Sequence, residues 1–296
     1  MLNVCKPSGT SSHHMVSLAR RLFHQRRVGH AGTLDPLAEG VLPVLLGRAT
    51  RLANLVTDDD KLYFAEILLG RVTTTDDLEG EILTESPVPV LTDAEILAVL
   101  RELTGIVQQR PPVYSAIKQS GVTSYTRARR GEQFDLPLRA VRIDEIQMIR
   151  RSVDRLIVTV RCGKGTYIRA LARDIGERLG CGGTVARLIR LRVGRFDLES
   201  AVTPDELRHA AEGLTLAEHV LPPDHACLSL PAIVLDEPTA ALAVKGQGWP
   251  ASDDQHDLVR VYGTDGSFIG LARREPDHDD SLTQTWWRIR VMILES

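Results

Sequence analysis

The stretch from Gly29 to Gly40 reads GHAGTLDPLAEG and concentrates three glycines, one imidazole and two carboxylates. Its glycines and its proline make it too irregular for a helix or a central strand, and Pro36 biases the preceding Asp35 towards an extended backbone. Such a composition is typical of an exposed functional loop. A turn in which Asp35 caps the next element explains the same residues. The stretch by itself leaves both interpretations open.

Regular elements are predicted on both sides of this loop. Residues 11–26 have helical periodicity with Ser12 as a candidate cap. The apolar face of this helix comprises Met15, Leu18, Ala19, Leu22 and Phe23. After the loop, Val41–Leu46 is an apolar run between two glycines, and Tyr63–Leu69 alternates as a strand. The first inward residue of that strand is predicted to be Tyr63.

Further helices and a strand are predicted in the middle of the chain. A capping box formed by Thr92 and Glu95 begins one helix, which is expected to stop at Gly105. Leu156–Cys162 alternates as a strand, and Ile168–Leu179 has the apolar periodicity of a helix. Residues 106–151 are basic and rich in turn residues, which favours an inserted lobe over a core element.

The tail has a different character. From about Leu228 it is acidic, with turns that separate short β-like runs at Leu258–Tyr262, Phe268–Ala272 and Trp286–Ile293. This pattern predicts a small β-rich module. The predicted domains are therefore 1–227, containing a lobe at about 106–151, and 228–296.

Composition limits the class of protein. The chain has 296 residues, of which 43% are hydrophobic, and it contains no apolar run long enough to span a membrane and no basic-then-apolar leader, so a cytoplasmic protein is expected. The four cysteines form no C-x-x-C pair, which argues against a zinc site and a disulfide framework. Net charge is −3, yet residues 101–195 contain 20 Lys and Arg against 8 Asp and Glu. This basic block predicts either a surface for phosphates or solvated helix faces.

Several motifs of other enzyme classes do not fit. Gly163–Thr166 reads GKGT and lacks the lysine followed directly by Ser or Thr that a Walker A loop needs. The sequence has no H-E-x-x-H, no G-x-S-x-G and no G-x-G-x-x-G after a strand, so metalloprotease, α/β-hydrolase and Rossmann interpretations have no support. Glycosidase chemistry by Asp35 and Glu39 stays open at this point, although such pairs usually come from separate elements.

Six motifs together resemble the TruB family of tRNA pseudouridine synthases over roughly residues 2–220. In chain order they are Lys6-Pro7-x-Gly9-Thr10-Ser11, the loop of Gly29–Gly40, Asp60-Lys61-x-Tyr63, Tyr114-Ser115-Ala116-Ile117-Lys118, Gly165-Thr166-Tyr167-Ile168-Arg169 and Leu188-Ile189-Arg190-Leu191. The tail is similar, more loosely, to the PUA-type β-barrel found in that family. The resemblance implies an α+β fold whose catalytic domain has a mixed, mostly antiparallel sheet with an inserted lobe.

The resemblance also implies a reaction and its residues. Uridine 55 in the T loop of tRNA would be isomerised to pseudouridine without a cofactor or a metal. Asp35 matches the catalytic nucleophile and Arg169 its charged partner, while Tyr63 matches the tyrosine that stacks on the base and is a candidate acceptor of the C5 proton. Tyr167 and Leu188 match residues that wall the uridine pocket. Whether the covalent adduct forms at ribose C1′ or on the ring stays open.

RNA recognition follows from the same resemblance. The target base must be flipped out of the T loop, and His30 matches the residue that holds that loop open. The expected phosphate contacts come from the basic block and its neighbourhood: Lys61, Arg127, Arg129, Arg130, Arg139 and Arg142. The expected partner is tRNA, bound by a monomer away from membranes. Two alternatives stay open, namely a tRNA-folding protein with secondary catalysis and the same chemistry on another RNA stem-loop.

Overall fold

The computed structural model describes residues 1–114, 118–119, 122–124, 127, 130, 132, 134, 136–251, 256–276 and 285–294. The α-helices bounded within them are α1 (Ser12–Leu22), α2 (Ala53–Asp58), α3 (Asp93–Glu102), α4 (Ile168–Arg178), α5 (Pro204–Glu212) and α6 (Glu237–Val244). Short 3₁₀ segments occur at Gly47–Leu52, Leu216–His219 and Pro223–Cys227. None of the helices in these ranges is long and apolar enough to cross a membrane.

The β-strands make up most of the remaining regular structure. In chain order they are β1 (Leu2–Lys6), β2 (Val28–His30), β3 (Glu39–Leu46), β4 (Lys61–Leu69), β5 (Arg71–Thr73), β6 (Ile82–Glu85), β7 (Gly105–Gln109), β8 (Lys118–Gln119), β9 (Val122–Thr123), β10 (Arg139–Arg151), β11 (Arg155–Cys162), β12 (Gly183–Val193), β13 (Phe196–Asp197), β14 (Ala232–Leu235), β15 (Trp249–Pro250), β16 (Leu258–Gly263), β17 (Phe268–Pro276) and β18 (Thr285–Met292).

A nine-stranded sheet forms the centre of the described part of the chain. Its main order is β1-β3-β12-β4-β11-β10-β7, with β2 paired to β3 and β13 paired to β12. The pairs along this order are antiparallel except β3 with β12, which run parallel. The sheet is therefore mixed and mostly antiparallel, as the sequence predicts.

Strand β4 lies in the middle of that sheet, between β11 and β12. Its residues alternate between buried and half-buried, so that Tyr63, Ala65, Ile67 and Leu69 point into the core. The alternation begins at Lys61, which is also buried. The prediction that Tyr63 is the first inward residue is wrong, because the strand starts two residues earlier and Lys61 has the same parity.

Helices α1 and α4 pack on the hydrophobic cluster that these strands form. Ser11, and not Ser12, caps α1, since its side chain accepts a hydrogen bond from the backbone N–H of His14. The capping box of Thr92 begins α3 as predicted. Helix α3 ends at Glu102, however, and the Gly105 that was predicted as its stop begins β7. The apolar periodicity thus located the helices, whereas their ends depended on local backbone geometry.

The basic segment is less separate from the core than the sequence suggests. Both ends of the range 106–151 belong to the central sheet, as β7 and β10, which pair antiparallel from Arg139 to Ile143. The prediction of a lobe over the whole range is therefore wrong at its ends, because the basic residues of Arg139–Arg151 occupy mostly exposed positions of a sheet strand. The part of the chain between Arg110 and Leu138 lies outside the sheet in the described residues.

The C-terminal part forms a second sheet of five strands, in the order β14-β16-β17-β18-β15. Trp287, Val259 and Val261 are among the residues of its own hydrophobic cluster. Leu271 and Ile293 instead join a cluster with residues of β3 and of the 3₁₀ segment at Gly47–Leu52. The C-terminal sheet therefore packs directly against the N-terminal part through apolar side chains.

Candidate active site

The loop between Gly32 and Gly40 is anchored by the first residues of the chain. Lys6 is fully buried, and burial lowers its pKa to about 8. Its Nζ donates hydrogen bonds to three carbonyl oxygens, those of Pro7 (2.9 Å), Thr10 (2.7 Å) and Pro36 (3.2 Å). The Ser12 hydroxyl donates to the carbonyl of Leu34 and accepts from its N–H. These contacts fix the backbone on both sides of Asp35.

Arg190, on β12, holds the same loop from the opposite side. It is 1% exposed, and its guanidinium donates to the carbonyl oxygens of Val41 at 2.7 Å and Gly32 at 2.9 Å. Gly40 has a φ of +103°, and a Cβ there would lie 2.3 Å from the carbonyl oxygen of Arg190. Only glycine therefore allows β3 and β12 to approach this closely.

Asp35 faces Arg169, the second residue of α4. The Asp35 Oδ2 lies 2.9 Å from the Arg169 Nε, and the Asp35 side chain is 34% exposed whereas that of Arg169 is 4% exposed. The carboxylate is thus accessible and its partner is not. A fixed guanidinium supplies the opposite charge that an ionised nucleophile needs in a site from which a substrate expels water.

The other guanidinium nitrogens of Arg169 are also engaged. Nη1 donates to the Thr75 carbonyl at 2.7 Å and lies 3.3 Å from the buried Asp77 carboxylate, while Nη2 donates to the Tyr114 carbonyl at 2.8 Å. Three chain segments besides α4 therefore meet at one side chain. Because each of its three nitrogens has a partner, the guanidinium is held in one orientation towards Asp35.

One turn further along α4, Arg173 makes a parallel set of contacts. It lies 2.8 Å from the Asp76 carboxylate and donates to the Arg110 carbonyl at 2.7 Å. Burial raises the pKa of Asp76 to about 6, against the opposing charges of Arg173 and Arg169. The spacing i, i+4 therefore places two arginines side by side, each facing the acidic loop after β5 and the segment after β7.

A cavity of about 280 Å³ opens beside the Asp35–Arg169 pair. Asp35, Lys61, Tyr63, Tyr167 and Leu188 all line it, so the structure brings together five of the site residues that the sequence suggested. Tyr63 is 8% exposed, and burial raises the pKa of its hydroxyl, which keeps the ring neutral. The walls combine aromatic and aliphatic side chains with the Asp35 carboxylate and the basic residues Lys61, Lys164 and Arg190. Apolar walls with a few polar groups are a suitable lining for a planar base.

His30 lies outside this lining, on β2, next to the loop. It is half-buried, and burial lowers its pKa. Its Nδ1 is buried and has no hydrogen-bond partner among the described residues. The imidazole is therefore neutral at ordinary pH and borders the site without contributing to the floor of the cavity.

The predicted phosphate contacts divide into two groups. Lys61 is buried, and its ammonium donates to the carbonyl oxygens of Thr57 and Asp59. The parity of β4 turns Lys61 inward, where it lines the cavity beside Asp35, so its assignment as an RNA contact stays a prediction. The others are placed as follows: Arg139 and Arg142 are exposed on β10, Arg130 is exposed, Arg127 is half-buried, and Arg129 lies outside the described residues.

Two members of this set, Arg142 and Arg127, are close to carboxylates. Arg142 pairs with Asp60 and lies 3.3 Å from Asp144, and Arg127 lies 2.7 Å from Glu132. Such partly exposed pairs are weak and exchange readily for phosphate.

Sequence reasoning missed the residues that hold the site together. Lys6, Arg190, Asp77 and Gln109 are buried polar side chains around the loop and α4. Lys6 and Arg190 do occur in the quoted motifs, yet nothing in the sequence assigns them a role. Their partners are mostly backbone carbonyls, which leave no complementary side chain for a sequence pattern to reveal.

Comparison with known proteins decides the family. The family described as TruB family pseudouridylate synthase (N terminal domain) matches residues 20–168. A tRNA pseudouridine synthase B of Xanthomonas oryzae pv. oryzae is 44% identical over 273 residues, which cover 92% of this chain and 89% of that protein. The chain belongs to the TruB family of pseudouridine synthases. The resemblance stated from the six motifs is confirmed, and with it the prediction of an enzyme that forms pseudouridine.

Other TruB-type matches cover most of the chain after residue 168. The families described as tRNA pseudouridylate synthase B C-terminal domain and Pseudouridine synthase II TruB, C-terminal, match residues 169–227 and 231–279. A tRNA pseudouridine synthase B of Methylobacillus flagellatus is 40% identical over 270 residues, 91% of this chain and 89% of that protein. The family relation therefore extends beyond the catalytic loop to the C-terminal sheet.

Solved structures show the same fold at lower identity. A chain from an H/ACA ribonucleoprotein bound to a substrate RNA containing 2′-deoxyuridine superimposes with a TM-score of 0.74 at 23% identity, covering 99% of this chain and 84% of that one. A chain from a Cbf5-Nop10-Gar1 complex gives 0.73 at 24% identity, covering 97% and 82%. These structural matches confirm the predicted α+β class.

Proposed function

We propose that this TruB-family enzyme isomerises uridine to pseudouridine in tRNA, at uridine 55 of the T loop, with Asp35 as the nucleophile. The observation that carries the proposal is an accessible carboxylate that lines a cavity and faces a buried arginine at 2.9 Å. The names of the relatives from Xanthomonas and Methylobacillus support tRNA as the substrate.

The chemistry needs one nucleophile and no redox partner. The bond between N1 of uracil and C1′ of ribose breaks, the base rotates, a bond forms between C5 and C1′, and the proton on C5 is replaced by one on N1. Asp35 forms the transient covalent adduct. Arg169 keeps the carboxylate oriented, since its own position is fixed by contacts with two other segments, the loop of Thr75 and Asp77 and the segment of Tyr114.

The cavity walls are assigned to the base. Tyr63 is proposed to stack on the flipped uracil and to be a candidate acceptor of the C5 proton, while Tyr167 and Leu188 enclose its edges. All three line the cavity. The aromatic ring of Tyr63 and the aliphatic side chain of Leu188 offer the base non-directional contacts that can persist while it rotates, which the isomerisation requires.

RNA binding is assigned to the surface around the cavity. His30 is proposed to hold the T loop open after the base is flipped, which its neutral state and its place beside the loop support. Arg127, Arg129, Arg130, Arg139 and Arg142 are proposed to contact phosphates. We further propose a catalytic domain of residues 1–227, a PUA-like domain of residues 228–296, and a monomer that works in the cytoplasm, where tRNA is found.

A tritium-release assay with tRNA labelled at uracil C5 tests the proposal. Asp35→Asn is expected to lower the rate on the order of 10⁴-fold or more, because it removes the nucleophile. Glu39→Gln is the matched control, since Glu39 is a carboxylate of the same loop that pairs with Arg187 at 2.6 Å and does not line the cavity. Equal release by wild type and Asp35→Asn contradicts the mechanism.

Mapping of pseudouridine separates the remaining alternatives. Cells that lack the enzyme are expected to lose the modification at tRNA position 55 and to regain it with wild type but not with Asp35→Asn. Recovery of tRNA maturation by Asp35→Asn would favour a tRNA-folding protein with secondary catalysis. Loss of the modification at another RNA stem-loop alone would move the same chemistry to that substrate.

A further inference from the structure

Helix α4 begins without a cap of its own. Its N-cap residue is Tyr167, whose side chain makes no capping hydrogen bond. The backbone N–H groups of a first helical turn need partners from outside the helix, and Ser, Thr, Asp or Asn usually supply one. The position of this helix start determines where the Arg169 side chain lies, because Arg169 is only two residues further along the chain.

A side chain from the central sheet fixes that helix start. Gln109, the last residue of β7, accepts a hydrogen bond from the Tyr167 N–H at 2.8 Å and donates one to the Tyr167 carbonyl at 3.1 Å. The same carbonyl accepts the first helical hydrogen bond, from the N–H of Leu171. Gln109 is 1% exposed, so water cannot take over either of its contacts.

Arg110 and Tyr114, which follow Gln109 in the chain, also contact α4. The segment after Gln109 offers the Arg110 carbonyl to Arg173 at 2.7 Å and the Tyr114 carbonyl to Arg169 at 2.8 Å. These bonds and the two of Gln109 connect residues 109–114 to α4 and its N-cap. Among these bonds, only those of the Gln109 amide reach the backbone at the N-terminus of the helix. The amide acts there as both a donor and an acceptor, so it fixes the position of the N-cap residue Tyr167 through two contacts.

We propose that Gln109 is a positioning residue for the reaction, which holds the start of α4 so that Arg169 meets Asp35 in the productive orientation. This inference rests on the proposed function and adds a residue that does not touch the substrate cavity. Loss of the two hydrogen bonds lets the helix start shift, and a displacement of the Arg169 fork weakens the contact at 2.9 Å with Asp35.

Gln109→Met is the decisive variant, because it keeps the length and packing of the side chain and removes both hydrogen bonds. Gln108→Met is the matched control, since Gln108 precedes Gln109 on β7 and is exposed. The single-turnover rate of tritium release is expected to fall about 10- to 100-fold in Gln109→Met and to be unchanged in Gln108→Met. The dissociation constant for tRNA, measured in an Asp35→Asn background to prevent turnover, is expected to stay near that of the parent.

The pattern of results separates positioning from folding. Gln109→Glu keeps the acceptor for the Tyr167 N–H and loses the donor, so its single-turnover rate is expected to lie between those of wild type and Gln109→Met. It serves as the test if the methionine variant does not fold. A folded Gln109→Met with the rate of Gln108→Met overturns the inference, as does an equal loss of rate and of tRNA binding. Absence of tritium release by the wild type would instead overturn the proposed function.

Discussion

Two groups of cations in this protein are used in opposite ways. Lys6, Arg169 and Arg190 are buried around the loop of Asp35 and donate mostly to backbone carbonyls. Arg139 and Arg142, on β10, are exposed, and Arg142 pairs with surface carboxylates. A buried cation fixes geometry because no water replaces its partners, whereas an exposed one mainly contributes a field that salt screens. Buried cations should therefore affect chemistry and stability, and exposed ones RNA binding.

Among these cations, the largest effect is expected at Arg169. Arg169→Met is expected to lower the single-turnover rate about 10²- to 10³-fold, because Asp35 loses its charged partner. The variant also leaves the carboxylate of Asp77 buried beside an apolar side chain. Arg169→Lys, which keeps the charge and loses the fork, separates these effects and is expected to recover folding more than rate. A rate for Arg169→Met equal to that of wild type would contradict the expectation that buried cations affect the chemistry.

Arg190 is expected to affect stability as well as rate. Arg190→Lys keeps the charge, but a single ammonium cannot reach the carbonyls of both Val41 and Gly32. The free energy of unfolding in urea is expected to fall by about 1.5–3 kcal/mol. Arg187→Lys is the control, because Arg187 lies on the same strand with its side chain 58% exposed. If both variants lose the same free energy, burial is not what distinguishes them.

The buried Lys6 is expected to make the free energy of unfolding depend on pH. Burial lowers its pKa from 10.5 to about 8, so between these values the unfolded chain binds a proton that the folded protein does not. The free energy of unfolding contributed by Lys6 therefore increases as pH rises from about 8 to 10.5. The rise is measured as the difference in the free energy of unfolding between wild type and Lys6→Met. The corresponding difference for Lys164→Met, which replaces an exposed lysine, should not increase over this pH range. A flat difference over that range contradicts a buried ammonium.

The smallest effect on chemistry is expected at the exposed arginines. Arg139→Gln combined with Arg142→Gln is expected to weaken tRNA binding and to reduce the slope of its salt dependence by about 1 for each phosphate that is no longer neutralised. The single-turnover rate on saturating tRNA should stay near the wild-type value. Arg208→Gln, an exposed arginine of α5, is the control. An unchanged salt slope would place the RNA elsewhere.

The elements nearest the site were predictable because their patterns are local. The alternation of β4, the capping box of α3 and the apolar periodicity of α4 all appear in the structure. The same kind of evidence failed at boundaries. The alternation of β4 begins at Lys61 and turns this side chain inward, and the charged strand β10 lies within the range that the sequence predicts as a lobe.

The sequence by itself determined the family, the α+β class and the residues that meet at the cavity, because ordered motifs and periodicity are properties of the chain alone. Only the tertiary structure decided how the loop of Asp35 is held. Lys6 and Arg190 hold this loop through backbone carbonyls, and Gln109 binds the backbone at the start of α4, in each case far away in sequence. Every residue has the same backbone groups, so no residue type marks these partners, and they become visible only once the chain is folded.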